Sequence, residues 1–464
     1  MTSHRILKIT IALILGINNL SAQTDIPVHT WRSHLSYNNI IDISSSGEKL
    51  YVAAENSLFF IDQDEFSINK ITKSNGLSDV SIGAIHYDQG LGVLIIGYAN
   101  GNIDLIYEDQ LINISTVKDA TLLGDKRFYD IKVNGGLVYL SNDQGIFVLN
   151  TVRREIVESY LNLNQEGSIL LVSEMAFSSD SIYATTPEGL LSASMNSTTN
   201  RQDFNNWNRS FIDVQFSGII KTSNGITAYS ENTMYDFDGS NWAINTAPLN
   251  ETIRDLNYSK NALYILTDSE INLINGNDLE KLITIDDLST STKFLINEHG
   301  YWIGKSESGL LNYNNSSFQN FSPSGPSSDN VWQLFDIDND IYNISGGFST
   351  VRQSFNRPGH LSSFSEGKWS NKLLEISNNT IPDIVDLEVL DNSIFESSFF
   401  AASFQEGLVN LSITNTIIDE SPIGSTLERV NGKINMTSIA KEGTSLWMST
   451  HGVENSIHQW DLET

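Results

Sequence analysis

The stretch Asn75–Tyr107, NGLSDVSIGAIHYDQGLGVLIIGYANGNIDLIY, decides the fold. A polar turn, Asn75-Gly76-Leu77-Ser78-Asp79, leads into apolar runs at Ile82–Tyr87, Leu91–Tyr98 and Ile103–Tyr107. Gly90 breaks the first run from the second, and Asn100-Gly101 breaks the second from the third. Runs of this length, rich in Ile, Val, Leu and Tyr and bounded by turn residues, are the signature of strands joined by hairpins.

Working outward, the same unit recurs. An apolar-aromatic-apolar strand, a short polar turn and a second apolar strand appear at Leu50–Ala54 with Leu58–Ile61, and at Val93–Tyr98 with Ile103–Tyr107. Further copies lie at Val138–Ser141 with Gly145–Leu149, Ile182–Thr185 with Gly189–Leu191, and Ile226–Tyr229 with Met234–Phe237. The sixth is Leu263–Thr267 with Ile271–Ile274, and the seventh Tyr301–Gly304 with Gly309–Tyr313. Their spacing, roughly 38 to 47 residues, is the period of a four-stranded propeller blade. An α-solenoid of similar period is excluded by breaks every few positions and by the lack of a sustained helical pattern. The expected fold is all-β: a seven-bladed β-propeller over residues 30–316, then an incomplete second β-propeller of about three blades over 317–464.

Two details of that expectation are specific. Trp31–Leu35 resembles the outer strand that ends a unit, as Ile68–Thr72 does, so it is expected to pair near Ser306–Asn314 and close the ring. In the second array, strands are expected at Val331–Ile337, Ile341–Ile344, Ile384–Leu390, Gly407–Leu411, Ser445–Thr450 and Ser456–Trp460, with a long loop at Gly346–Gly367. Three blades do not close a ring, and the sequence is read as a fragment.

The first residues are a targeting signal. Arg5 and Lys8 precede the apolar run Ile9–Ile17, and Leu20-Ser21-Ala22 supplies the small-residue cleavage site, so residues 1–22 read as a secretory signal peptide. No later segment is apolar enough over the roughly 20 residues needed to span a bilayer. The chain is expected to be exported.

Composition narrows the chemistry. The net charge of −29 repels phosphate backbones, which argues against nucleic-acid binding. With no cysteine in 464 residues, disulfides, thiolate zinc sites and cysteine nucleophiles are excluded, and an exported chain must be stable through packing alone. Asp336-Ile337-Asp338-Asn339-Asp340 opens like a calcium loop, but Ile341 and Gly347 stand where that loop needs Gly and Glu, so a turn is the better reading. His86, His299 and His451 form no metal pair, Gly304–Gly309 misses a nucleophile elbow, and Asp286-Asp287 has no evident partner. Tyr51, Tyr139, Tyr183, Tyr264 and Trp302 share one position of the repeat, which points to packing between blades rather than to ligand stacking. No catalytic, cofactor or metal residue is expected, binding residues are left unassigned, and the chain reads as no enzyme.

A family resemblance adds a role. Asn75–Asp79 with Ile95-Ile96-Gly97-Tyr98 and Gly101-Asn102-Ile103 resembles the propeller repeat of Bacteroidetes two-component regulators. The opening Trp31-Arg32-Ser33-His34-Leu35-Ser36-Tyr37-Asn38-Asn39-Ile40, with Asn100–Asp104, is similar to the PorZ-like components of the type IX secretion system. That resemblance implies two seven-bladed propellers and a short C-terminal β domain on the outer face of the outer membrane. It also implies an attachment complex with the sortase PorU, the barrel protein PorV and PorQ. The complex removes C-terminal signals from cargo and attaches cargo to anionic lipopolysaccharide, which the PorZ-like component itself binds without being an enzyme. The competing readings are the periplasmic sensor propeller of a hybrid two-component regulator and a propeller enzyme acting on polysaccharide.

Overall fold

Short antiparallel hairpins dominate because each apolar run alternates with a turn that supplies a left-handed residue or a side-chain hydrogen bond. The computed structural model describes residues 32–462 apart from 109, 246–248, 276–277, 315, 338, 377–378, 391–397, 413–432 and 455, so residues 1–22 and Trp31 lie outside the described residues. Two compact units are present, one over Leu35–Ser324 and one containing Gly325 onward together with His34.

Leu35–Ser324 holds seven four-stranded antiparallel sheets, each with its strands in chain order. Their first strands are Ile40–Ser45, Ile82–Asp88, Phe128–Asn134, Met175–Phe177, Gly218–Thr222, Ile253–Ser259 and Ser291–Asn297. These lie side by side around an axis, and the seventh returns to touch the first. This is a closed β-propeller ring.

The turn at Asn75 shows why the repeat needs its polar residues. The Asn75 side-chain carbonyl accepts from the Thr72 N–H at 2.6 Å, and Leu77 plugs the core beneath it at 4% exposure. Asp79 accepts from Asn100 at 2.6 Å and Lys118 at 2.7 Å. Asp104, fully buried, accepts from the Ser78 N–H at 2.9 Å, the Tyr98 hydroxyl at 2.6 Å and Asn113 at 2.8 Å. Burial opposes the Asp79 charge, but the hydrogen bonds from Lys118, Asn100 and the Val80 N–H prevail and hold its carboxyl far below the usual range. Gly97 is required by close approach, since a Cβ there would lie 2.8 Å from that of Phe128 in the next sheet.

The shared aromatic position does pack between sheets. Tyr51 stacks on Tyr87 of the next sheet at 5.7 Å, Tyr139 meets Phe177 at 4.8 Å, and Tyr183 meets Phe237 at 5.5 Å. Trp302 is fully buried in one cluster with Leu50, Val52 and Ile40 of the first sheet, which seals the seventh sheet to it.

Ring closure by a borrowed strand is corrected. The seventh sheet takes its fourth strand from Ser317–Asn320, paired with Gly309–Asn314. Residues 32–38 are not a strand. His34 instead accepts a 2.9 Å hydrogen bond from the Trp369 indole and packs against Phe364. The turn after Asn314 returns the chain along the sheet, so Ser317–Asn320 already takes the outer position beside Gly309–Asn314.

In the second unit a four-stranded sheet has strands Val331–Ile337, Asp340–Ser345, His360–Ser365 and Lys368–Leu373. Two three-stranded sheets follow, with first strands Ile384–Leu390 and Met436–Glu442. The expected long loop is shorter, because His360–Ser365 pairs with Asp340–Ser345. Asp336 and Asp340 belong to the two strands of one hairpin.

Candidate functional site

The sheets with a bulged first strand share one frame. The bulge separates residues such as Ile40 and Asp42, so the residue after it turns inward, while the next one packs between sheets. In the first ring the residue after the bulge is Asp42, Ala84, Asp130, Asp255 or Lys293 in the five sheets with a bulge, and all of these but Ala84 face the axis. Glu174, just before the fourth sheet's first strand, completes the set.

The carboxylates fasten one sheet to the next. Asp42 accepts from the Ile85 N–H at 2.9 Å, Asp130 from Met175 at 2.8 Å, Glu174 from Ile219 at 3.1 Å, and Asp255 from Phe294 at 2.8 Å. Asp386 repeats the device in the second unit, accepting from the Ile439 N–H at 3.0 Å. Each bridges two first strands and satisfies a backbone donor that the sheet ladder leaves free.

Asp42, Asp130, Glu174 and Asp255, with Lys132 and Lys293, line an axial cavity of about 180 Å3. Lys293 crosses it to Glu174 at 3.0 Å, tying the seventh sheet to the fourth, and Lys132 pairs with Asp130 at 2.8 Å. Glu174 foremost, with Asp255 and Asp42, holds the Lys293 ammonium well above its usual range. Burial pushes Asp255 up to about 7 and also raises Asp42; in both Lys293 partly opposes the shift. Burial, with Lys132 nearby, brings His86 down to about 4. The arrangement is a clasp of four carboxylates and two ammonium groups. It offers no nucleophile beside a base, and among the described residues no group of His, Asp and Glu is placed to hold a metal ion.

Of the residues singled out in the sequence, only His86 lines this cavity. His299 touches Phe66 at 5.4 Å, and His451 stacks on Phe404 at 6.4 Å. Asp287 accepts from Ser289 at 2.7 Å and sits 3.5 Å from Lys305, while Asp286 is exposed. The clasp residues went unread, although a signal existed: an Asp followed by Ile or Leu early in a strand, at Asp42, Asp130, Asp255 and Asp386.

Residues 50–208 match the family model of the PorZ N-terminal β-propeller domain of the type IX secretion system. The solved structure of PorZ, an essential bacterial surface component of the type IX secretion system of Porphyromonas gingivalis, is similar at a TM-score of 0.72 and 18% identity. That likeness covers 93% of this chain and 59% of PorZ. The extracellular domain of a protein described as a hybrid two component system of B. thetaiotaomicron matches at a TM-score of 0.47 and 14% identity, over 93% of this chain and 58% of its own. No curated protein matches the sequence. No helix among the described residues is long and apolar enough to cross a membrane. Residues 50–208 are PorZ-like in sequence, and the chain is PorZ-like in fold.

Proposed function

We propose that this PorZ-like chain is a non-catalytic propeller scaffold of a type IX secretion apparatus, exported and held at the outer-membrane surface through its partners. The observation that carries the reading is the family match over residues 50–208, at a place where the sequence repeat is most regular. In this reading the chain works beside the sortase PorU, PorV and PorQ, supports removal of cargo C-terminal signals, and binds anionic lipopolysaccharide. The axial groups suit a scaffold, because their carboxylates are spent on backbone N–H groups and lysines rather than aimed at a reacting atom.

Deleting the gene tests it. The expected result is cargo that keeps its C-terminal signal and is lost from the cell surface. Unchanged maturation and attachment would overturn the reading.

A further inference from the structure

Loop Gly346–Gly359, between the second and third strands of the second unit's first sheet, folds into a small hairpin of its own. Phe348 bridges Ser354, and the Ser349 N–H donates to the Gln353 carbonyl at 2.8 Å. Its base is fixed. The fully buried Asp383 accepts from the Asn356 N–H at 2.9 Å, the Arg357 N–H at 3.1 Å and the Ser354 hydroxyl, while Gln405 donates to Asn356 at 2.8 Å. Gly347, at φ +116°, lies so close to Trp332 that a Cβ would fall 2.4 Å from its ring.

This rigid hairpin displays two arginines. Arg352 lies over the Phe348 ring and Arg357 over the Phe355 ring, each with its guanidinium carbon 4.5 Å from the ring centre. Among the described residues neither forms an ion pair, in a chain with 56 acidic and 27 basic residues. Arg357 is also oriented by a 3.1 Å bond to the Gly346 carbonyl. Around them stand Val351 at 71% exposure, Phe355 at 42% and Trp332 at 36%. Two stacked guanidiniums, without an ion pair among the described residues and beside exposed apolar side chains, make a preorganised surface.

We propose that the Gly346–Gly359 hairpin is a docking surface for an acidic peptide segment whose carboxylates alternate with aliphatic side chains. Charge complementarity selects the anion, and the planar forks of Arg352 and Arg357 suit bidentate carboxylates. The apolar neighbours select the aliphatic side chains. A glycan is the poorer fit, because each guanidinium lies over a phenylalanine ring, Phe348 or Phe355, on which a sugar would stack. The proposal does not depend on the secretion reading.

The test is fluorescence anisotropy on the full 464-residue chain. The probes are a labelled peptide of alternating glutamate and leucine, one of alternating glutamate and serine, and inorganic polyphosphate. The glutamate–leucine peptide is expected to bind saturably and to weaken with salt. R352Q/R357Q is expected to lose at least about tenfold in affinity, R352K/R357K to recover only part of it, and V351S to lose a few-fold. These side chains lie outside the core, and unfolding midpoints check that the variants fold. If the glutamine pair proves unstable, the lysine pair and V351S decide. Wild-type affinity in R352Q/R357Q would overturn the proposal. So would equal binding of the serine peptide, or binding of polyphosphate without the leucine peptide.

Discussion

Two sets of first strands, built on one frame, end in opposite surroundings. At the residue before the bulge, Ile40, Ile82, Phe128, Ile384 and Met436 are all fully buried, and Ile253 and Ser291 nearly so; Val331 is 46% exposed. Three positions on, Ile43, Ile85, Ile131, Leu256, Phe294, Leu387 and Ile439 are at most 9% exposed, and Leu334 is 61% exposed. The residue types are alike, so the difference is not in the strand. It lies in the neighbour: the preceding sheet covers this face in the ring, as where Ile40 meets Gly304 of the seventh sheet. Hydrophobic sequence therefore specifies a blade's face, while its burial is a property of the array.

Replacing equivalent leucines in the second unit tests that statement most severely. Leu387→Ala is expected to cost about 2–5 kcal/mol and Leu334→Ala less than about 1 kcal/mol, read from urea unfolding of the 464-residue chain. Equal losses would break the comparison.

The inward position gives the next contrast. Asp386→Ala removes the acceptor of the Ile439 N–H and the Leu387 N–H and is expected to cost about 1–3 kcal/mol. Gln333→Ala, at the matching position of the uncovered strand, is expected to stay within about 0.5 kcal/mol.

In the closed ring, pH separates two groups of one cavity. Asp255 titrates near 7 when folded, against an ordinary value of 3.8, so the native state holds the extra proton and stability falls as pH rises from about 4 to about 7. His86, brought down to about 4 from 6.5, acts in reverse: its contribution is present above about pH 6.5 and lost as pH falls towards 4. The two slopes oppose each other in the wild type. Asp255→Asn removes one, so the variant's urea midpoint should climb more steeply with pH over that window. A slope unchanged from wild type would disprove the assignment.

The smallest effect is expected from Val331→Lys with Leu334→Lys. Stability should hold within about 0.5 kcal/mol, while light scattering shows less self-association, since the pair removes exposed apolar surface.

Much of this architecture could be read from residues. Val331–Ile337, Ile384–Leu390 and Ser445–Thr450 are strands at the bounds expected, because alternation and turn chemistry are local. Lys368–Leu373 is not legible, since Lys368-Trp369-Ser370-Asn371 lacks the apolar density of the regular copies, whereas Phe399-Phe400-Ala401-Ala402 carried that density and was passed over. Their pairing is settled by neighbours. Closure at Trp31–Leu35 misled for a related reason: aromatic content makes a strand plausible, but which edge is free is a tertiary fact. The axial clasp failed differently. An aspartate in a strand reads as a solvated residue until two strands from separate repeats are placed side by side.

The clasp also gives the ring a mechanical grain. A carboxylate joins sheets one to two, three to four, four to five and six to seven, and the Thr292 hydroxyl reaches the Ile40 carbonyl at 2.8 Å from seven to one. Sheets two and three are locked by Phe128 against Gly97. Between sheets five and six the joint is of another kind: the Ile253 N–H donates to the Glu231 carbonyl at 2.7 Å, and Tyr229, Met234, Leu256 and Leu263 share one buried cluster beside a groove of about 280 Å3 over Phe237 and Tyr258. Around the ring, carboxylate clasps thus give way to apolar packing at two joints, two to three and five to six, so the same closure is held by two kinds of bond.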